Sequence, residues 1–150
     1  DTTTTEAPTT EAPTTEAPTT EAPVTEAPTS DLGQQIANFA CQFVGNPYVW
    51  GGTSLTNGAD CSGFVQSVYK NFGYSLPRTC TPQSNAGTAV SLAALAPGDL
   101  VFYDHGTGSC EHVGIYIGNG QIVHASSSRT GIKISNVNYS TPFKACRIVN

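Results

Sequence analysis

Three side chains of this 150-residue chain could together carry out nucleophilic chemistry: Cys61, His112 and His124. Cys61 follows Asp60 and precedes Ser62-Gly63-Phe64-Val65. Asp is a helix-capping residue, so the sequence predicts Cys61 in the first turn of a helix. Free N–H groups and the positive end of the helix dipole converge there and favour the thiolate, the nucleophilic form. The same amides could stabilise an oxyanion as it develops. Gly63 omits a side chain where another group must come close. The competing reading is a small apolar residue buried at a helix start.

The two histidines change that balance. They flank a predicted hairpin, Val113–Ile117 and Gln121–Ala125. With a three-residue loop, Gly118-Asn119-Gly120, Gly114 faces His124 and leaves room for its ring. His112 and His124 are then diagonal neighbours on one face, roughly 7–8 Å apart by backbone. A two-residue Asn119-Gly120 loop would shift the register by one and send the rings to opposite faces. In the favourable register the three side chains form a nucleophile–base–orienter set. His112 would take the thiol proton and His124 would fix its tautomer.

Other chemistry-bearing residues weigh less. His105 lies in a polar loop, Tyr103-Asp104-His105-Gly106-Thr107-Gly108, and reads as a solvated loop residue. Trp50 reads as core or cleft wall. Zinc held by Cys80, Cys110, His112 and His124 is conceivable, but Cys110-Glu111-His112 lacks the usual Cys-x2-Cys spacing.

The elements that must position these groups are legible as periodicities. Leu32, Ile36, Phe39, Ala40, Phe43 and Val44 follow helical spacing, with Ser30 or Asp31 as N-cap and Gly45 as stop. Phe64, Val65, Val68, Tyr69 and Phe72 repeat the pattern up to Gly73. Thr81-Pro82 opens a short third helix with Pro at its first position. After Pro97-Gly98 the period changes. Leu100–Tyr103, Val113–Ile117, Ile122–Ala125, Ile132–Ser135 and Ala145–Val149 read as strands. Helices first and strands later, without long crossovers, predict an α+β fold with an antiparallel sheet.

Composition divides the chain in two. Residues 1–30 hold six acidic side chains and no Lys or Arg, whereas residues 31–150 hold five acidic and six basic ones. The net charge of −5 is therefore a property of the first segment. Residues 4–28 are five copies of Thr-Thr-Glu-Ala-Pro, with Val24 replacing one Thr. No copy carries a large apolar side chain to offset the entropy of ordering, and the prolines favour an extended chain reaching roughly 80 Å. Residues 1–30 are thus expected to be a disordered linker, read as an unmodified spacer, although Thr-rich, Pro-punctuated stalks also accept O-glycans. Residues 31–150 are the domain. No apolar run suits a membrane span, no basic stripe suits nucleic acid, and neither a dinucleotide fingerprint nor a P-loop occurs.

The domain holds five cysteines, so at least one thiol is unpaired within the chain. Two bridges and one free thiol suit an extracellular domain, and five reduced thiols suit a cytosolic one. The stalk-like segment favours export. A chain that begins at Asp1 and contains no Met is expected to be a processed product, from which a secretory signal could have been cleaved.

Taken jointly, the motifs resemble those of the NlpC/P60 family of cell-wall cysteine peptidases. The matching segments are Tyr48-Val49-Trp50-Gly51-Gly52, Asp60-Cys61-Ser62-Gly63-Phe64-Val65, Leu76-Pro77-Arg78-Thr79, Pro97-Gly98-Asp99-Leu100-Val101-Phe102, His112-Val113-Gly114-Ile115-Tyr116-Ile117-Gly118 and Ile122-Val123-His124-Ala125. They occur in family order over roughly residues 34–149. The resemblance implies a papain-like α+β core, with N-terminal helices packed on a central antiparallel sheet. It implies Cys61 as nucleophile, His112 as base and His124 as third polar residue, with Tyr48, Asp60 and Ser62 lining the substrate cleft.

The implied activity is hydrolysis of peptidoglycan stem peptides between D-γ-glutamate and a diamino acid, meso-diaminopimelate or Lys, without metal or organic cofactor. Alternatives on the same scaffold are an N-acetylmuramoyl-L-alanine amidase, another acyl transferase, or a non-catalytic wall-binding module. A secreted or cell-surface monomer is expected, with peptidoglycan as partner and neither nucleic acid nor membrane. Cys80 and Cys110 depart from the family pattern. They suggest a Cys80–Cys110 bridge pinning the loop of the base, and Cys41–Cys146 would then tie the first helix to the last strand.

Overall fold

The computed structural model describes residues 31–148. The linker expected over residues 1–30, including the Ser30 cap, lies outside the described residues. Helix α1 spans Asp31–Cys41 and is followed by turns up to Gly45, whose φ of 98° ends any helical continuation. A two-residue ladder pairs β1 (Thr53–Ser54) with β2 (Gly58–Ala59) just before α2 (Cys61–Lys70). Asp60 caps α2 as its residue type predicts, accepting the Gly63 N–H at 2.8 Å. Helix α3 is Cys80–Gln83, two residues earlier than a helix with Pro82 at its first position, with Pro82 still in the first turn, where no intrahelical donor is lost.

Five longer strands follow, four at the expected places and the last beginning three residues before the expected Ala145 and ending at Arg147 instead of Val149. They are β4 (Leu100–Tyr103), β5 (His112–Gly118), β6 (Gln121–Ser127), β7 (Gly131–Asn136) and β8 (Pro142–Arg147). With the short β3 (Thr88–Ala89) they make one antiparallel sheet in the order β3-β8-β4-β5-β6-β7. The fold is α+β, as the sequence predicts.

Alternation sorts the strand side chains between two apolar clusters. One joins Ile36 and Ala40 of α1 and Phe64, Val65, Val68 and Tyr69 of α2 to Leu100, Phe102, Val113, Ile115, Val123 and Ala125. The other gathers Val101, Tyr103, Tyr116, Ile122 and Ala145 under Leu95. Each fully buried Phe, Ile or Val contributes roughly 1.5–3 kcal/mol, so the helical layer is held mainly by its apolar stripe. Tyr69 adds a hydrogen bond from its hydroxyl to the Gly98 carbonyl. Asp99, almost wholly buried, is held by Arg147 of β8 at 2.8 Å and accepts the Ala96 N–H.

The β5–β6 connection corrects the expected loop. Gly118 pairs with Gln121, so the turn is the two-residue Asn119-Gly120, both at positive φ (56° and 73°) as such a turn requires. Yet Tyr116 pairs with Ile122 and Ile115 with Val123. Ile117 is therefore an extra residue bulged out of the ladder. The bulge restores the register that a three-residue loop would have given, and both imidazoles keep to one face.

The cysteines also depart from expectation. Cys80 and Cys110 are bridged, with Cα atoms 5.8 Å apart. Cys41, Cys61 and Cys146 are free, so the expected Cys41–Cys146 bridge does not form. Gly33 of α1 packs against Gly98, near the end of β4 that Cys146 faces. Cys41 is eight residues further on, about 12 Å along the helix. The Cys146 thiol instead donates to the Gln83 carbonyl.

Candidate active site

A cleft of about 640 Å³ opens where the start of α2 meets the start of β5. Tyr48, Asp60, Cys61, Ser62 and His112, all singled out from sequence, line it. His124 lies behind them and is 0% exposed. Trp50 belongs to the wall, not the core, and stands 86% exposed at the rim.

Cys61 is the first residue of α2, as its neighbour Asp60 predicts. Burial pushes its thiol up, with the Asp60 charge adding to the rise, while backbone N–H groups of Val113, Ser62 and Cys61 itself pull the other way. The net shift is upward, so the helix end does not by itself produce a resting thiolate. Close approach explains Gly63: a Cβ there would sit 2.1 Å from the Gly52 carbonyl oxygen and 2.9 Å from Asp60 Oδ1.

His112 and His124 meet as the diagonal geometry predicts. His112 Nε2 lies 2.7 Å from His124 Nδ1, with ring centroids 4.9 Å apart at 76°. His124 Nε2 lies 2.8 Å from Ser135 Oγ on β7. Burial, then the neighbouring His124 and His105, lowers His112 to about 3. Burial and then Lys133 lower His124 to about 4. Both rings are therefore neutral at neutral pH. The Tyr139 ring packs 5.1 Å from His124, and His105 stacks on His112 at 6.0 Å. His105 is thus exposed, as expected for its loop, but it also forms part of the cleft.

Asp60 is the hub of the opposite wall. Its Oδ1 accepts from Gly63 N and Arg78 Nη1, and its Oδ2 from Gly51 N and Arg78 Nη2. Burial alone would raise this carboxyl, but the Arg78 and backbone bonds outweigh it and hold it below the ordinary range. Arg78 also donates to Ser62 Oγ at 2.9 Å. Gln83 of α3 donates to the carbonyls of Ser62 and Pro77, and Cys80 ties α3 to the segment before His112. The bridge takes both sulfurs out of the conceivable zinc set.

Sequence reasoning passed over Arg78, Ser135 and Tyr139 as site residues. Arg78 stood in a quoted motif and was given no role. Ser135 and Tyr139 carry no local signal, because only the strand register brings them to the imidazoles.

Comparison with known proteins adds kinship to this geometry. The model of the NlpC/P60 family matches residues 45–149. The chain is 42% identical over 105 residues to a gamma-D-glutamyl-L-lysine dipeptidyl-peptidase of Bacillus cereus, a match covering 69% of this chain and 31% of that protein. It is 47% identical over 111 residues to a gamma-DL-glutamyl hydrolase of Bacillus subtilis, covering 73% and 26% respectively. Among solved structures, the NlpC/p60 domain of the peptidoglycan hydrolase SagA superposes with a TM-score of 0.71 at 36% identity, over 77% of this chain and 98% of that one. The matches thus span less than a third of the two curated relatives.

Proposed function

The chain belongs to the NlpC/P60 family, and on that premise we propose that it is a secreted cysteine peptidase that cleaves peptidoglycan stem peptides between D-γ-glutamate and a diamino acid. Cys61 is the nucleophile, His112 the base and His124 the orienter. One observation carries the reading: the His112 Nε2–His124 Nδ1 contact of 2.7 Å, beside a thiol that opens a helix within the same cleft. The names of the relatives, one acting on a γ-D-glutamyl-L-lysine peptide and one on γ-glutamyl bonds, support the choice of bond.

The resting pair is neutral thiol and neutral imidazole, since burial raises one and lowers the other. Proton transfer to His112 therefore does not precede substrate binding. The oxyanion is met by N–H groups at the start of α2, the Cys61 amide among them. His112 returns the proton to the departing amine, and water then releases the acyl group. Tyr48, Asp60, Ser62 and Arg78 form the wall that holds the acyl part of the peptide. The ion pair fixes Asp60 and leaves that wall polar, suited to hydrogen bonding with a peptide.

Defined stem peptides, with and without the attached disaccharide, test the reading when digested and weighed by mass spectrometry. Products cut after D-γ-glutamate support it. Release of an intact stem from the sugar would make the protein an amidase, and intact peptides would leave a wall-binding module.

A further inference from the structure

Three polar side chains run diagonally over neighbouring strands: His112 on β5, His124 on β6 and Ser135 on β7. The register explains the line. His124 faces Lys133 across the ladder, so Ser135, two residues on, is its diagonal neighbour on the same face. Both ring nitrogens of His124 are engaged, Nδ1 by His112 and Nε2 by the Ser135 hydroxyl at 2.8 Å.

A neutral imidazole has one N–H, so the hydrogen at one end of this line dictates every other. If Ser135 accepts, His124 carries its hydrogen on Nε2 and presents a lone pair at Nδ1. His112 must then carry its hydrogen on Nε2, which leaves a lone pair on Nδ1. That nitrogen is the one His124 does not occupy, and so the one available to the thiol. If Ser135 donates, the order inverts, and His112 Nδ1 bears a hydrogen and cannot take a proton.

We propose that Ser135 is a positioning residue: by accepting from His124 Nε2–H it holds His112 in the tautomer able to receive the Cys61 proton. The inference rests on the reading of His112 as the base. Ser135 is half-buried, so its own hydrogen can turn to solvent. When His112 takes the proton, charge spreads towards His124 and strengthens the bond to Ser135. Lys133, His105, Tyr103 and Tyr139 also surround the pair, acting through charge or ring contact, and Cys61 lines the same cleft as His112, whereas Ser135 is hydrogen-bonded to His124 Nε2.

Two measurements decide. Nitrogen-15 NMR of the full chain carrying Cys61→Ala, without substrate, should find His124 as the Nε2–H tautomer at pH 7. The Nδ1–H tautomer would overturn the proposal, and this arm stands whatever bond the enzyme cuts. In kinetics on the stem peptide, Ser135→Ala should lower kcat about tenfold with KM within twofold, and move the acid limb of kcat/KM to lower pH. Ser135→Thr should restore both. Ser135→Asp, which when ionised can only accept, should remain active and move the limb to higher pH. Wild-type kcat and limb in a stably folded Ser135→Ala protein would refute the role, as would an inactive but folded Ser135→Asp.

Discussion

Arg78 grips Asp60 through both of its terminal nitrogens, at 3.1 Å to each carboxylate oxygen. The same carboxylate caps the helix that begins with Cys61. One ion pair thus joins the Leu76–Thr79 segment to the start of the helix that carries the proposed nucleophile, and a planar guanidinium is the side chain whose geometry matches both oxygens.

Arg78→Ala leaves a largely buried carboxylate without its counter-ion. Chemical denaturation should show a loss of about 1–3 kcal/mol, the range for a buried polar group left without a partner, because Arg78 is itself one-third exposed and Asp60 keeps its backbone hydrogen bonds. Arg78→Lys should recover only part of it, because an ammonium is a point charge. Equal stability of wild type and Arg78→Ala would show that the pair is surface ornament.

Cys61→Ala should abolish peptide cleavage while the protein stays folded, since the sulfur forms the proposed acyl bond. His124→Ala should lose roughly 10²-fold in kcat, the low end of what positioned acid–base catalysis contributes. A His124→Ala enzyme as fast as wild type would make that ring purely structural.

The pH dependence of stability follows from the imidazoles. Their ordinary value is 6.5, and in the fold they are lowered to about 3 and about 4. Below pH 6.5 the unfolded chain therefore binds protons that the folded protein excludes, so stability is full above 6.5 and falls as pH drops towards 4. Asp60 adds to the loss only below its ordinary 3.8. Urea midpoints measured from pH 7.5 to 4 should fall, and a His112→Gln/His124→Gln double variant should flatten the curve. A wild-type midpoint constant over that range would contradict the buried neutral pair.

The bridge of Cys80 to Cys110 closes a loop of sequence separation 30. On the chain-entropy scale such a loop is worth about 3–4 kcal/mol. Cys80→Ser/Cys110→Ser should lower the unfolding free energy by an amount of that order. Thiol titration of the unreduced, denatured wild type should count three groups, Cys41, Cys61 and Cys146. A count of one would restore the second bridge that the sequence suggested.

Helix and strand positions were legible because the apolar periods are strong, and the Asp60 cap because its side chain acts within three residues. The short β1, β2 and β3 carry no period to read. The imidazole pair was foreseen through a three-residue loop, whereas the chain uses a two-residue turn and a bulge at Ile117. Bulges follow from how a sheet twists and closes, not from local residue type. Ser135 and the His105 stack escaped for a related reason: each depends on a register set by distant strands. The helix end suggested a thiolate, but the depth at which Cys61 lies decides against it.

The last long strand does not close the rim of the sheet; β8 slides between β3 and β4. Synthesis therefore delivers every residue that lines the cleft before it delivers β8. A nascent or proteolytically trimmed chain ending ahead of Pro142 would leave β4 with a bare hydrogen-bonding edge in the middle of its own architecture, and such edges recruit strands from other molecules. Loss of the chain from Pro142 onward would show as aggregation, although every residue that lines the cleft precedes such a cut.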